Sequence, residues 1–172
     1  MASSIQELRL TGFAPYLSVT DNAATYRRVF EENRHRVYAL AFWMTDNELE
    51  AEELMGNVFR RAFAMSAEPS AEAIDRALVN ELRSYGPVGV LTLDCGTATE
   101  IAAVRRNVLR VYLERAVVQL PGTERLIFLL HDVERYSHMQ IGRLLGLSVD
   151  ESQHGLHQAR LRMRELLAAM QS

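Results

Sequence analysis

Two helix-start signals on either side of one glycine constrain the fold more than any other feature of the chain. Ser137 and Gln140 have the spacing of a capping box, in which two side chains satisfy free amide groups at the start of a helix. Ser148 and Glu151 repeat that spacing. Gly146 lies between the two signals and is the residue type that most often ends a helix, because it adopts a positive φ at little cost. The pattern predicts two helices joined by a tight turn, as in a helix-turn-helix.

Apolar residues at helical spacing support this prediction. Ile141, Leu144 and Leu145 form a short apolar face in the first of the two helices, and residues 124–133 form an amphipathic segment ahead of it. The last helix carries a continuous inner stripe of small and apolar residues: Ser152, Leu156, Ala159, Met163, Leu166 and Met170. In helix-turn-helix proteins the last helix normally enters the major groove of DNA, so this stretch predicts a nucleic-acid interface.

The rest of the chain is patterned as helices as well. Apolar residues recur at three- and four-residue steps in four segments: 20–44, 48–65, 71–85 and 97–120. Thr45 and Glu48 have capping-box spacing, which predicts Thr45 as the cap of the second segment. Thr97 and Glu100 predict a cap for the fourth segment in the same way.

These patterns predict an all-α protein with two small helical domains. Residues 1–19 form an N-terminal arm, residues 20–85 a helical bundle, and residues 98–172 the helix-turn-helix domain. Residues 86–97 lie between the domains and begin with Gly-Pro-Val-Gly; the short apolar run that follows cannot make a sheet alone. We interpret this stretch as a linker that docks on a neighbouring helix.

Composition and charge exclude several classes of protein. The 19 basic residues are all arginine, the net charge is −3, and no block of the chain is basic overall, which is not the pattern of a strong nucleic-acid binder. Cys95 is the only cysteine, so an internal disulfide is excluded. No segment approaches the ~20 apolar residues of a transmembrane helix, and no signal peptide is visible. We therefore expect no membrane contact and a cytoplasmic location.

Catalytic or metal-binding chemistry has little support in the sequence. Glu151, His154 and His157 could supply metal ligands from one part of a helix surface. A solvent-facing polar surface explains them better, because zinc sites need three or four convergent ligands with supporting partners. No nucleophile–base pair, phosphate-binding loop or pair of catalytic carboxylates is recognisable. We expect no enzymatic activity, no cofactor and no small-molecule substrate.

Two sets of motifs, one in each helical region, resemble those of a known family. The N-terminal set comprises YRR at 26–28, VY-x-LA at 37–41, EAEEL at 50–54 and VFRRAF at 58–63. The C-terminal set comprises LP at 120–121, Arg125, FLL at 128–130, DVE at 132–134, Ser137, IG-x-LLGLSV at 141–149 and LH-x-AR at 156–160. Together and in this order they resemble RNA polymerase sigma factors of the small, two-domain extracytoplasmic-function (ECF) type in the sigma-70 family.

The resemblance implies a function and a set of site residues. In this family the first domain binds the clamp helices of the polymerase's largest subunit and opens the −10 promoter element, and the second places a helix in the −35 major groove. By position, the residues facing the polymerase clamp would be Glu50, Glu53, Leu54, Asn57 and Arg61. Those near −35 DNA would be Arg125, Ser148, Glu151, Ser152, Gln153, His154, His157 and Arg160. The implied partners are core RNA polymerase, promoter DNA and an anti-sigma factor.

Both segments that would touch DNA depart from the family pattern. The family usually has a Thr-Val-Lys-Ser-Arg-like run where residues 151–155 read Glu-Ser-Gln-His-Gly, so two cations are lost and an anion is gained. The family's promoter-melting segment contains an aromatic residue and an Arg–Asn pair, which residues 73–80 lack. These departures support a second hypothesis, a degenerate sigma-like protein that acts through protein contacts with little or no DNA recognition.

Overall fold

The computed structural model describes residues 14–95 and 108–171 of the chain. All regular structure in these residues is helical, so the all-α prediction is confirmed. In chain order the helices are α1 (Ala14–Thr45), α2 (Glu48–Met65), α3 (Ala71–Leu82), α4 (Arg110–Val118), α5 (Gly122–Phe128), a π-helical turn (Leu129–Val133), α6 (His138–Leu145) and α7 (Val149–Gln171). Residues 1–13 of the predicted arm and the predicted Thr97–Glu100 capping box lie outside the described residues. No helix in the described ranges is both long and apolar enough to cross a lipid bilayer.

The first three helices pack into one group, α1–α3. Fully buried apolar side chains from all three form its core, and the largest are Leu40, Leu54, Phe59, Ile74, Leu78 and Leu82. Helix α1 begins at Ala14, earlier than the predicted Thr20. Pro15 suits the first turn of a helix, since a residue there has no helical acceptor for an amide hydrogen. Part of the predicted N-terminal arm is therefore the start of α1.

The corner between α1 and α2 differs from the prediction. Thr45 is not the cap of α2: it is the last residue of α1, and its hydroxyl donates to the Ala41 carbonyl at 3.0 Å. Asn47 is the cap, and its Oδ1 accepts the amide hydrogens of Leu49 and Glu50 at 2.9 and 3.2 Å. The Thr45 prediction was wrong because asparagine is at least as good an N-cap as threonine.

Helices α4–α7 form a second group that contains the helix-turn-helix. The Ser137 hydroxyl accepts the Gln140 amide at 3.3 Å, and the Gln140 side chain accepts the Ser137 amide at 2.9 Å. Ser148 and Glu151 make the same reciprocal pair at 3.1 and 2.7 Å. Gly146 ends α6 with φ of 77°. Both predicted capping boxes and the predicted glycine stop are confirmed.

Residues 86–95, which we call the strap, lie along α5 and α7. The Glu124 carboxylate accepts the amides of Thr92 and Leu93 at 2.5 and 2.6 Å. The Thr123 hydroxyl accepts the amide of Gly89 at 3.1 Å, and the Gln158 side chain accepts the amide of Cys95 at 2.6 Å. The three acceptor side chains, Thr123, Glu124 and Gln158, are all buried. The prediction that the linker docks on neighbouring helices is confirmed for these residues.

The two helix groups contact each other through a buried polar cluster, which we call the node. The Arg36 guanidinium from α1 donates to the carboxylate of Asp75 from α3. The Tyr136 hydroxyl, from the loop before α6, donates to the same carboxylate at 2.5 Å and accepts from Arg36 at 2.9 Å. Asp75 is only 4% exposed. A buried carboxylate needs such partners, because desolvation of an unpaired charge costs several kcal/mol.

Candidate nucleic-acid interface

The first turns of α7 present a mixed polar surface to solvent. Gln153, His154 and His157 are exposed, as are Asp150 and Glu151 at the start of the helix. The Glu151 carboxylate is held by the backbone and side chain of Ser148, and these hydrogen bonds lower its pKa. This end of α7 therefore carries two acidic groups near the position where a recognition helix meets DNA, and amide and imidazole groups beyond them.

One predicted DNA-facing residue points into the protein. The Ser152 side chain is fully buried, and its hydroxyl lies 3.0 Å from Nδ1 of His138 on α6. The apolar stripe of the last helix already included Ser152 on its inner face. Its four-residue spacing to the apolar Leu156 was the sequence signal that it faces inward. It links the two helices of the helix-turn-helix and is not part of the exposed α7 surface.

Gly155, in the second turn of α7, lies close to the strap and to α5. An added Cβ at Gly155 would lie 2.7 Å from the Ile127 side chain on α5 and 2.7 Å from the Leu91 side chain in the strap. Glycine inside a helix costs about 1 kcal/mol relative to alanine. An alanine here would therefore require the ends of these two side chains to shift.

Arg160 is held by an acidic partner from the π-helical turn. Its Nε and Nη2 donate to the two oxygens of Asp132 at 3.1 and 2.6 Å, and His131 Nδ1 lies 2.9 Å from the same carboxylate. Burial opposes the charge of Asp132, but the hydrogen bonds from Arg160 and His131 outweigh it and lower its pKa. The Arg160 side chain is half-exposed. The cation that the resemblance places near DNA is therefore paired with an anion, Asp132, which neutralises its charge.

The His131 and His138 rings stack beside this pair, with centroids 4.5 Å apart. Burial lowers the pKa of His138, and the nearby His131 and Arg160 lower it further. The folded protein therefore favours the neutral form of His138. Below the usual histidine pKa of about 6.5, this side chain binds a proton more readily in the unfolded chain than in the folded one.

We expect the stability of the protein to fall as the pH drops below about 6.5, and the His138→Gln variant to lose part of this dependence. Urea denaturation followed by circular dichroism between pH 5 and 8 measures the effect. His154→Gln, at an exposed position of α7, is the matched control for the loss of one histidine. Parallel profiles for the protein and His138→Gln would contradict the assignment.

Arg125 lies at the junction of the two helix groups. Its guanidinium donates to the carbonyls of Trp43 and Met44 at the end of α1, at 3.2 and 3.1 Å, and to the carbonyl of Leu120 at 2.8 Å. Burial lowers the pKa of Arg125. The resemblance places Arg125 near −35 DNA. In this structure its guanidinium donates to backbone carbonyls instead, and these hydrogen bonds would have to break before it could bind a phosphate.

The predicted clamp-facing residues all lie on α2. Glu50, Glu53 and Arg61 are exposed and Asn57 is half-buried, but Leu54 is fully buried in the core of α1–α3. Arg61 donates to Glu81 of α3 at 2.5 Å. The exposed surface of α2 is therefore acidic in its first turns, and Leu54 supports that surface from beneath.

Glu151, His154 and His157, the candidate metal ligands that the sequence argued against, lie on the exposed side of α7. Within the described ranges, no group of three or more histidine, cysteine, aspartate or glutamate side chains is placed to hold a metal ion. The Glu151 carboxylate is directed back to the Ser148 amide at 2.7 Å.

Known proteins share the sequence pattern and the fold of this chain. The helix-turn-helix region matches the family model for sigma-70, region 4, over residues 110–163. The ECF RNA polymerase sigma factor SigE of Mycolicibacterium smegmatis is 24% identical over 176 residues, which cover 92% of this chain and 68% of that protein. The helix-turn-helix region is therefore that of sigma-70, region 4, and the chain as a whole is similar to an ECF sigma factor.

A solved structure supports the same fold. The sigma factor RpoE from Bartonella quintana, in its co-crystal structure with the anti-sigma factor NepR, matches this chain with a TM-score of 0.63. The match covers 83% of this chain and 96% of that one at 16% sequence identity. The helical fold of this chain is therefore that of a known sigma-factor structure.

Proposed function

We propose that this protein is a transcription initiation factor that binds core RNA polymerase through α2 and directs it to promoters through α7. The observation that carries the proposal is the complete helix-turn-helix, with both capping boxes formed and the start of α7 exposed beside a group of three helices of the sigma type. A protein with this role works in the cytoplasm, where the polymerase is.

The exposed α7 side chains suit base contacts better than phosphate contacts. Gln153 can form a paired hydrogen bond with adenine, and His154 and His157 can donate to base edges. Arg125 and Arg160 are both internally paired, so intrinsic affinity for DNA and its salt dependence should both be low. Binding to polymerase would offset this weakness, since a tethered helix meets its site at a high effective concentration.

Reconstituted transcription with core polymerase tests the proposal. Core polymerase plus this protein should start transcripts at discrete positions on fragments of its own genome, and core polymerase alone should not. The absence of promoter-dependent initiation from every genomic fragment would overturn the proposal.

Arg160→Ala should weaken promoter binding by the polymerase complex and reduce the slope of log affinity against log salt by about one, if Arg160 contacts one phosphate. Arg162→Ala is the matched control, because residues two positions apart point roughly 200° apart around a helix. Fluorescence anisotropy with a labelled promoter fragment over a series of salt concentrations measures both slopes. Equal slopes for the two variants would remove Arg160 from the interface.

A second candidate function is to act through protein contacts alone. The protein would bind another transcription protein, or be held inactive by one, without recognising DNA. This function is favoured by the pairing of Arg160 with Asp132 and of Arg125 with backbone carbonyls, which leaves neither arginine free for a DNA phosphate in this structure. The similar RpoE structure contains an anti-sigma factor, and we propose that class of partner here. A pull-down from native extract would then recover a protein partner, and promoter binding would be negligible at ~50–100 mM salt, where a specific binder should hold.

A further inference from the structure

We propose that His131, Asp132 and Arg160 form a proton-controlled phosphate contact, which we call the switch. It is neutral while His131 is neutral, and it gains one positive charge when His131 is protonated, so promoter DNA is bound more tightly as the pH falls. The inference rests on the proposed function, because it concerns how α7 meets DNA phosphates. It assigns a role to His131, which lies in the π-helical turn and outside the residues assigned to either interface.

The three side chains of the switch are linked through one carboxylate. His131 and Asp132 belong to the π-helical turn, and Arg160 belongs to α7. Arg160 Nε and Nη2 donate to the two oxygens of Asp132 at 3.1 and 2.6 Å, and His131 Nδ1 lies 2.9 Å from Oδ1. The charges of Asp132 and Arg160 cancel, so the switch has no net charge while His131 is neutral.

Asp132 determines which nitrogen of His131 takes the added proton. Burial opposes the charge of Asp132, but the hydrogen bonds from Arg160 and His131 outweigh it and lower its pKa, so the carboxylate is ionised and only accepts. Neutral His131 therefore carries its hydrogen on Nδ1, and a second proton adds to Nε2. The imidazolium that results keeps its hydrogen bond to Asp132 and has a second N–H with which to donate to an anion.

His138 on α6 stays neutral when His131 is protonated. The two rings stack with centroids 4.5 Å apart, so two positive charges there would repel each other. Burial lowers the pKa of His138, and His131 and Arg160 lower it further. The partner of His138 Nδ1 is the uncharged Ser152 hydroxyl at 3.0 Å, whereas His131 contacts an anion. The stacked pair therefore takes one proton, on His131.

Other charged side chains around the π-helical turn have partners elsewhere. Glu134, at the end of the turn, acts on the arginine and the tyrosine of the node. On α5, Glu124 accepts strap amides and Arg125 donates to carbonyls at the end of α1. Among the described residues, Asp132 and Arg160 are the charged groups that act on the stacked histidines.

The switch lies beside the exposed surface of α7. Gln153, His157 and Arg160 follow one another at i, i+4 and i+7, which places them on one face of the helix. The Arg160 side chain is half-exposed and the His131 side chain is 30% exposed, so solvent reaches both. A phosphate near Arg160 meets the repelling carboxylate of Asp132 while His131 is neutral. Protonated His131 cancels that repulsion.

Promoter binding at two pH values tests the switch. His154→Gln and His157→Gln, combined in one background, remove the two exposed histidines of α7. In this background the polymerase complex should bind a labelled promoter fragment more tightly at about pH 6 than at about pH 8. The slope of log affinity against log salt should be steeper by about 0.9 at the lower pH, the value for one phosphate. His131→Gln should remove both differences, and His35→Gln at an exposed position of α1 should remove neither. Comparison between variants cancels the pH response of the polymerase itself.

Asp132→Asn tests the charge of the switch with little change of shape. This variant leaves the positive charge of Arg160 without its anion at every pH. At about pH 8 it should therefore show the steeper salt slope that the background shows at about pH 6. Glu165→Gln is the matched control, because it removes an exposed carboxylate of α7 that pairs with Arg162. Circular dichroism at each pH checks that every variant remains folded.

Sulfate binding to the free protein separates this inference from the proposed function, since sulfate keeps one charge over this pH range. Sulfate should shift the nuclear magnetic resonance signal of the Arg160 Nε–H at about pH 6 and much less at about pH 8, and His131→Gln should abolish the difference. An equal response at both pH values, or a pH dependence of sulfate or promoter binding that survives His131→Gln, would overturn the switch. A protein that shows the switch with sulfate, but whose polymerase complex binds no promoter at either pH, would instead overturn the proposed function.

Discussion

Replacement of Asp75 by alanine should lower the free energy of unfolding by about 3–5 kcal/mol, the usual effect of removing one partner from a buried ion pair. Asp75 is 4% exposed and the Arg36 side chain 19% exposed, so the guanidinium would be left largely desolvated without its carboxylate. Tyr136 would lose its acceptor in the same step. Urea denaturation followed by circular dichroism measures the change.

Glu72→Ala provides the matched control for this prediction. Glu72 lies on the same helix and pairs with Arg76 at 3.4 Å, but both side chains are more than 60% exposed. Exposed pairs of this kind contribute about 0.3–0.5 kcal/mol. If Asp75→Ala lowered the free energy of unfolding by less than 1 kcal/mol, water would have to reach Arg36, and the node would not be buried.

The node also marks the limit of what the sequence could predict. The capping boxes at Ser137 and Ser148 were predictable because both partners lie three residues apart, and helix starts are local events. Arg36, Asp75 and Tyr136 are far apart along the chain, and each has ordinary neighbours. Their pairing depends on how two helix groups pack, which no periodicity in the sequence encodes.

The α7 surface was also predictable only in part, because exposure follows from the local helical period whereas contacts between elements do not. The exposure of Gln153, His154 and His157 follows from the helical period around the buried stripe, and that stripe also placed Ser152 inside. The partner of Arg160 was not predictable, because Asp132 comes from a π-helical turn whose extra residue shifts the register of a segment that reads as a regular α-helix.

Two of the cations assigned to DNA by resemblance are thus internally paired in this structure. Arg125 binds carbonyls at the end of α1, and Arg160 binds Asp132. The Arg125 contacts join the two helix groups, whereas Arg160 and Asp132 belong to the same group.

Gly142→Ala should destabilise the protein by about 2 kcal/mol, although alanine is the better helix former by about 1 kcal/mol. An added Cβ would lie 2.5 Å from the Leu147 carbonyl oxygen, which is backbone of the turn between α6 and α7. The Gly142 carbonyl also accepts the amides of Gly146 and Leu147 at 2.8 and 3.0 Å, so the turn cannot move away without breaking these bonds. Thermal and urea denaturation measure the loss.

Gly56→Ala makes the same chemical change where there is room for it. Gly56 lies in the interior of α2, and a Cβ there would meet no heavy atom within 4 Å. That variant should gain about 0.5–1 kcal/mol, since only the helix preference of alanine acts. The opposite signs of the two substitutions isolate the contact with Leu147. A gain of stability at Gly142 would show that the turn relaxes freely, and the close packing of α6 against the start of α7 would then not fix the recognition helix.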